Sequence, residues 1–216
     1  MALDYYRPNV SGLSLYVERL ADGLASRGHS VTVLTHRHAP GLPVEEDGRV
    51  RIVRAPVLFR VGKALVSPGL LARAIREIDG ADVLHLHAPL VPAAPLSMVA
   101  SARGVPVLVT YHCDLKPPSG VWQRAVEAIA RASQNFALDR AARVVTYTED
   151  YARHTESLEE RPDSVRWILP PVPDPPEPQY FGVKGFGETD IPDKDNGVDE
   201  FEVHFNTASL KPHLEM

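Results

Sequence analysis

The chain has 216 residues, 44% of them hydrophobic and 24% charged, which is the composition of a soluble globular protein with one sizeable core. The net charge of −5 comes from residues 179–216, which hold eight acidic and three basic side chains, so residues 1–178 are neutral. A neutral body lacks the basic surplus of a nucleic-acid-binding protein, and we predict no nucleic-acid partner.

Short apolar strands alternate with amphipathic helices over residues 1–169. The first helix places Val17, Leu20 and Leu24 on one face, and Gly28 suits the left-handed position that follows a helix. In chain order we predict strand 1–5, helix 14–27, strands 31–35 and 49–54, helix 67–78, strand 82–87, helix 92–102, strand 105–111, helix 121–140, strand 143–147, helix 149–159 and strand 165–169.

The predicted strands are apolar throughout rather than alternating, which is typical of a parallel sheet covered by helices on both faces. We therefore predict an α/β fold with a doubly wound, Rossmann-like parallel sheet in residues 1–169. Ligands of such sheets bind beyond the carboxyl ends of the strands, near the switch in strand order. His87, His112 and Thr148 each follow a strand at such an end.

The character of the sequence changes after residue 169. Six of the nine residues in 170–178 are proline, which predicts a stiff linker. Residues 179–216 are acidic and show no repeating α/β pattern, so we predict a mostly irregular tail with one strand at residues 200–205.

Cys113 is the only cysteine, which excludes an intrachain disulfide and fits a reducing compartment. The first residues lack the basic and apolar regions of a secretory signal, and the most apolar stretch, residues 88–100, is short and holds three prolines. We predict a cytoplasmic protein. Contact of residues 58–65 with the inner face of the membrane is a less favoured alternative to a solvated surface.

Four stretches, taken together and in this order, resemble the N-terminal domain of family-4 glycosyltransferases, retaining enzymes with two facing Rossmann-like domains (the GT-B fold). They are DYYRPNVSGLSLYVERLADGLASRGHSVTVLT, DVLHLHAPL, PVLVTYHCD and RVVTYTEDYARH. The resemblance covers residues 4–178. It implies transfer of a sugar from a nucleotide-sugar donor to an acceptor with retention of configuration, with the nucleotide sugar as substrate and with no cofactor and no metal.

The resemblance also implies roles for single residues. His112 matches the histidine that contacts the transferred sugar, and we predict it as the catalytic residue. Family members usually carry two adjacent glycines near the donor phosphates; here Ser11 and Gly12 stand in their place, and only Gly12 matches fully. Thr148 and Glu149 match a donor-side helix start. His87 and Asp114 are predicted on the acceptor side.

The family's second, donor-binding domain has no counterpart in residues 179–216. We therefore predict an incomplete enzyme, either a truncated reading frame or one subunit that needs a separate donor-binding subunit. The alternative is a non-catalytic module that binds a glycan, lipid or protein. An epimerase or phosphorylase-like enzyme of the same two-domain plan stays open. A nicotinamide dehydrogenase is disfavoured because residues 7–12 lack G-x-G-x-x-G.

Several of these residues also have purely structural interpretations. Thr148 is suited to cap a helix, and Gly12 to form a turn. We expect His85 and His87, which alternate along one strand, to point to opposite faces, so that one is a core residue and a two-histidine metal site is disfavoured. A catalytic pair of Cys113 with His112 is disfavoured because adjacent strand residues face apart.

Overall fold

A computed structural model describes residues 1–61, 64–114 and 120–171, and only the backbone of residues 64 and 121–123. The helices are α1 Gly12–Ser26, α2 Pro68–Ile78, α3 Ala93–Ala102, α4 Val121–Arg140, α5 Glu149–Arg153 and α6 Glu156–Glu159. The strands are β1 Thr32–Arg37, β2 Glu45–Glu46, β3 Arg51–Pro56, β4 Phe59–Val61, β5 Ala64–Val66, β6 Leu84–Ala88, β7 Val107–Tyr111, β8 Arg143–Thr146 and β9 Val165–Trp167.

The main sheet has two halves joined by the first residues of the chain. One half has the order β2-β3-β1, and the other has the order β6-β7-β8-β9. Ala2 forms parallel bridges to Leu34 of β1 and to Leu86 of β6. Its amide donates to the His85 carbonyl oxygen (2.8 Å), and its carbonyl accepts from the His87 amide (3.0 Å). Residues 1–3, called the central segment below, therefore form the middle of the sheet, shorter than the predicted strand.

All pairings in this sheet are parallel except that of β2 with β3. The chain starts in the middle, builds β1 and β3 on one side, and then crosses to β6 on the other side. The switch in strand order thus lies at the central segment, flanked by the carboxyl ends of β1 and β6, and the carboxyl end of β7 lies one strand further out.

Helices cover both faces of the sheet. On one face, α1 packs through Val17 and Ala21 against a cluster that holds Val33 and Ile52. The other face buries the neighbouring residues Leu34 and Val53 against α2, α3 and α4. Burial on both faces explains why the strands are apolar throughout, and the predicted α/β fold with a parallel sheet is confirmed.

Besides the short central segment, the structure differs from the predicted elements in two places. Between residues 45 and 66 it forms β2 and the antiparallel hairpin β4–β5, whose two or three residues per strand are too few to show a periodic pattern. The helix predicted at residues 149–159 is two helices. The Thr155 hydroxyl donates to the Tyr151 carbonyl oxygen (2.7 Å), which would accept from the Thr155 amide in a continuous helix.

The described residues all belong to one compact unit, Met1–Pro173. Most of the predicted linker, residues 172–178, and the whole predicted tail, including its strand at 200–205, lie outside the described residues. Gly62 and Lys63 of the alternative membrane-contact region also lie outside them. Within residues 1–61, 64–114 and 120–171, none of the helices has the length and apolar character needed to cross a bilayer.

Candidate functional site

His112 lies at the carboxyl edge of the sheet, directly after β7. Its amide donates to the Ala88 carbonyl oxygen at the end of β6 (3.0 Å), which fixes the residue beside the neighbouring strand end. Its side chain is 7% exposed. The Nε2 atom lies 3.0 Å from Nδ1 of His87, and the Nδ1 atom is hydrogen bonded to the hydroxyl of Tyr147, the residue that follows β8.

Two more histidine rings lie below His112 on the same face of the sheet. The rings of His85 and His87 stack with centroids 4.1 Å apart, and Nε2 of His85 lies 2.7 Å from the Thr110 hydroxyl. The prediction that these two histidines face apart is wrong, because residues two positions apart on a strand share a face. We call His85, His87, His112 and Tyr147 the histidine chain.

Helix α1 covers the histidine chain through Tyr16. The Tyr16 ring meets the His112 ring edge-on, with centroids 4.9 Å apart and planes at 84°, and lies 5.8 Å from the Tyr147 ring. Gly12, the first residue of α1, precedes Tyr16 by about one helical turn, roughly 5.4 Å of rise. The glycine turn and His112 therefore lie at the same edge of the sheet.

The start of α1 is fixed by two serines. The Ser11 hydroxyl accepts from the Ser14 amide (3.1 Å), and the Ser11 amide donates to the Ser14 hydroxyl (2.8 Å). This reciprocal pair satisfies two of the amides that a helix start leaves without intrahelical partners. A Cβ atom at Gly12 would meet nothing within 4 Å, so the surface beside this helix start is open.

Burial keeps the histidine chain uncharged near neutral pH. It lowers the pKa of His112 to about 4 and that of His85 to about 3, and it lowers the pKa of His87 well below its usual value. Burial also raises the pKa of Tyr147 to about 12, so its hydroxyl keeps its proton. The histidine chain can therefore offer neutral hydrogen-bond donors and acceptors, but no charge.

The other predicted site residues make different contacts. Thr148 caps α5, since its hydroxyl accepts from the Tyr151 amide (3.1 Å), as its structural interpretation predicted. Glu149 pairs with Arg153 of the same helix (2.5 Å). Asp114 accepts a hydrogen bond from the Tyr111 hydroxyl (2.5 Å). The structure thus brings Gly12, His87 and His112 into one neighbourhood, whereas the contacts of Asp114 and Glu149 lie outside the histidine chain.

A second buried cluster lies at the same edge, where the central segment and β1 end. Nδ1 of His36 lies 3.1 Å from the Asp4 carbonyl oxygen and 3.4 Å from Asp4 Oδ1. Burial raises the pKa of the Asp4 carboxyl to about 7 and lowers that of His36 to about 4. We call Asp4 and His36 the aspartate–histidine pair; sequence reasoning missed both residues.

Sequence reasoning also missed Tyr16 and Tyr147. Tyr147 carried a usable signal, because it is a polar-tipped residue directly after the buried strand β8, the same position that singled out His112 after β7. Tyr16 carried none, since its contact with His112 depends on how α1 crosses the sheet. Within the described ranges no group of three or more His, Cys, Asp or Glu side chains has the arrangement of a metal site.

The fold and this edge define the chain as an α/β lobe with a buried polar cluster at the switch in strand order. Residues 11–171 match the family of the Glycosyl transferase 4-like domain, and the chain belongs to that family. The predicted resemblance to family-4 glycosyltransferases is therefore confirmed.

The chain is similar to one curated relative and to one solved structure, both of them longer proteins. The chain is 32% identical over 184 residues to D-inositol 3-phosphate glycosyltransferase of Acidothermus cellulolyticus, covering 76% of this chain and 40% of that protein. Among solved structures it is similar to sucrose-phosphate synthase from Thermosynechococcus elongatus, with a TM-score of 0.49 and 18% identity over 74% of this chain and 43% of the other. The chain spans less than half the length of either protein.

Proposed function

We propose that this chain is the acceptor-side lobe of a nucleotide-sugar glycosyltransferase that works with retention of configuration. The observation that carries the proposal is the contact of Tyr16 with His112 in a member of the Glycosyl transferase 4-like family. This contact joins the helix that starts at Gly12 to the imidazole after β7, so the residues predicted for the donor phosphates and for the transferred sugar border one site.

The chemistry suits neutral groups. Transfer of a sugar passes through an oxocarbenium-like state while a nucleoside diphosphate leaves, and fixed donors around the developing charge stabilise that state. Neutral donors in the histidine chain serve this purpose without adding a proton or a charge of their own. In this proposal His112 is the catalytic residue, Ser11 and Gly12 border the donor phosphates, and no metal or cofactor takes part.

The proposal needs a donor-binding lobe that faces this edge, either on the same polypeptide or on a separate subunit. D-inositol 3-phosphate, the acceptor in the curated relative's name, is the first acceptor to test. In this proposal, three further residues contact substrate only when both substrates are bound. They are Thr148 and Glu149 on the donor side and Asp114 on the acceptor side.

The experiment compares three preparations: the chain alone, the chain mixed with a separately produced donor-binding lobe, and the chain fused to the C-terminal part of the curated relative. Each is incubated with a panel of nucleotide sugars and D-inositol 3-phosphate, and release of nucleoside diphosphate and of glycosylated product is measured. We expect product from the fusion or the mixture.

The stereochemistry of the product tests retention, because the anomeric configuration of the new bond must equal that of the donor sugar. A product of inverted configuration would contradict the proposed mechanism. Absence of product in every preparation, combined with binding of D-inositol 3-phosphate by the chain alone, would instead identify a binding module.

A further inference from the structure

We propose that Tyr147 is the residue of this lobe that donates a hydrogen bond to an oxygen of the nucleotide sugar, and that His87 and His112 hold it in the donating state. The inference rests on the proposed function and refines it: Tyr147 is the residue that touches the substrate, and His112, together with His87, acts through Tyr147 as a positioning residue. Its physical basis is the connectivity of the histidine chain.

Both ring nitrogens of His112 are already engaged within the protein. Nε2 lies 3.0 Å from His87 Nδ1, and Nδ1 is hydrogen bonded to the Tyr147 hydroxyl. The residue is also 7% exposed, and its ring is covered edge-on by Tyr16. Tyr147 is half-buried, so it offers a ligand at this edge more accessible surface than His112 does.

The chain of hydrogen bonds can run in either of two directions. In the outward direction, His87 donates to His112, and His112 donates to the Tyr147 oxygen. In the inward direction, Tyr147 donates to His112, and His112 donates to His87. Each neutral histidine carries one proton, so the choice at one ring fixes the tautomer of the next ring.

The far side of His87 decides between these directions. His87 is fully buried, and among the described residues its Nε2 atom has no hydrogen-bond partner. The inward direction would put a proton on that atom and bury an N–H group without an acceptor. The outward direction leaves only a lone pair there, and orphaned buried N–H groups are the rarer case in folded proteins.

The outward direction has a direct chemical consequence. The Tyr147 oxygen accepts from His112, so the hydroxyl proton of Tyr147 is not donated within the histidine chain and points away from His112. Burial keeps that proton on the oxygen at neutral pH. The lobe thus presents a fixed O–H donor, and an oxygen lone pair of the sugar or of the diphosphate is the matching ligand group.

The tautomers can be observed in the chain as it stands. With ¹⁵N-labelled histidine, the ring signals of His87 and His112 should both show a protonated Nδ1 and an unprotonated Nε2 at pH 7.5. The signals are assigned through their connection to the backbone, without substitutions. A protonated Nε2 on His112 would mean the inward direction and would overturn the inference.

The substrate contact is tested in the active fusion with Tyr147→Phe, which removes only the hydroxyl. We expect kcat/KM to fall about 10²-fold, the usual effect of removing one such donor. Tyr6→Phe is the matched control, since Tyr6 is fully buried and its hydroxyl has no partner among the described residues; its kcat/KM should stay within about twofold of wild type.

Binding of nucleoside diphosphate separates the two sources of the oxygen. If Tyr147→Phe weakens binding of the diphosphate alone, the contact is with phosphate; if it weakens only the nucleotide sugar, the contact is with a sugar hydroxyl. Equal kcat/KM for Tyr147→Phe and wild type would overturn the inference. An inactive wild-type fusion would refute the proposed function instead. The tautomer measurement would still decide the direction of the hydrogen bonds in the histidine chain.

Discussion

The histidine chain and the aspartate–histidine pair are two buried clusters at one edge of the same sheet, and they handle charge differently. The histidine chain has no carboxylate among its described hydrogen bonds, and burial is the largest cause that keeps its rings neutral. The pair sets an imidazole against a carboxyl whose pKa is raised to about 7. Burial therefore makes the first cluster insensitive to pH near neutrality and places the second at its titration point.

The largest expected effect is acid unfolding. A histidine whose pKa is lowered on folding takes up its proton only in the unfolded chain, so its stabilising effect is complete above about pH 6.5 and is lost as the pH falls. Four histidines with lowered pKa values act in this sense: His36, His85, His87 and His112. At about 1.4 kcal/mol per pKa unit, we expect the free energy of unfolding to fall by several kcal/mol between pH 6.5 and pH 4.

Asp4→Asn sharpens this comparison, because Asp4 acts in the opposite sense. Its raised pKa makes the folded protein bind the extra proton, so its stabilising effect is lost as the pH rises from about 4 to about 7. The variant should be more stable than wild type at pH 8 and should lose stability more steeply on acidification. Urea titrations at pH 4.5, 6 and 8 measure this, and parallel pH curves for the two proteins would contradict the assignment.

The next largest effect separates the clusters by activity. In the active fusion, His112→Ala should lower kcat about 10²- to 10³-fold, because the Tyr147 hydroxyl loses the group that orients it. His36→Ala removes an imidazole of the same size at the same edge of the sheet, and its kcat should stay within a few-fold of the wild-type value.

Thermal unfolding of both variants provides the folding control, since each change opens a buried cavity and should cost a few kcal/mol of stability. Equal loss of kcat at equal stability would mean that the two clusters contribute alike. The distinction drawn between them would then be wrong.

The smallest expected effect concerns helix α1, which covers the histidine chain through Tyr16. Ser11→Ala removes the side-chain cap of α1 and should lower the free energy of unfolding by about 1 kcal/mol. Ser26→Ala, at the exposed far end of α1, should change it by less than about 0.5 kcal/mol. Denaturant titration compares the two variants, and equal losses would show that the cap at Ser11 contributes nothing specific.

The sequence predicts most of the fold because the relevant information is local. Runs such as 107–111 and 143–146 identify strands by their apolar character, and Gly28, with its positive φ of 89°, ends α1 as its position predicted. The short strands β2, β4 and β5 escape prediction because pairing partners rather than local pattern define them.

The candidate site was predictable only in part, for a related reason. The position of His112 follows from the end of a strand, a local property. Its contact with Tyr16 joins residues 96 positions apart, and no spacing in the sequence reports the crossing of a helix over a sheet. The direction of the hydrogen bonds needs still finer information, since it depends on Nε2 of His87, which has no partner among the described residues.

The central segment has a consequence for how the whole lobe tolerates change. These three residues join the two halves of the sheet through the backbone hydrogen bonds of Ala2 and its neighbours. If residues 1–3 paired one position out of register, their inward- and outward-facing side chains would be exchanged, and the residues that lead to α1 would be displaced. Insertions or deletions between residues 4 and 11 leave the pairing of residues 1–3 in place but change the length of the link to α1, so we expect both halves to stay folded while Tyr16 no longer meets His112.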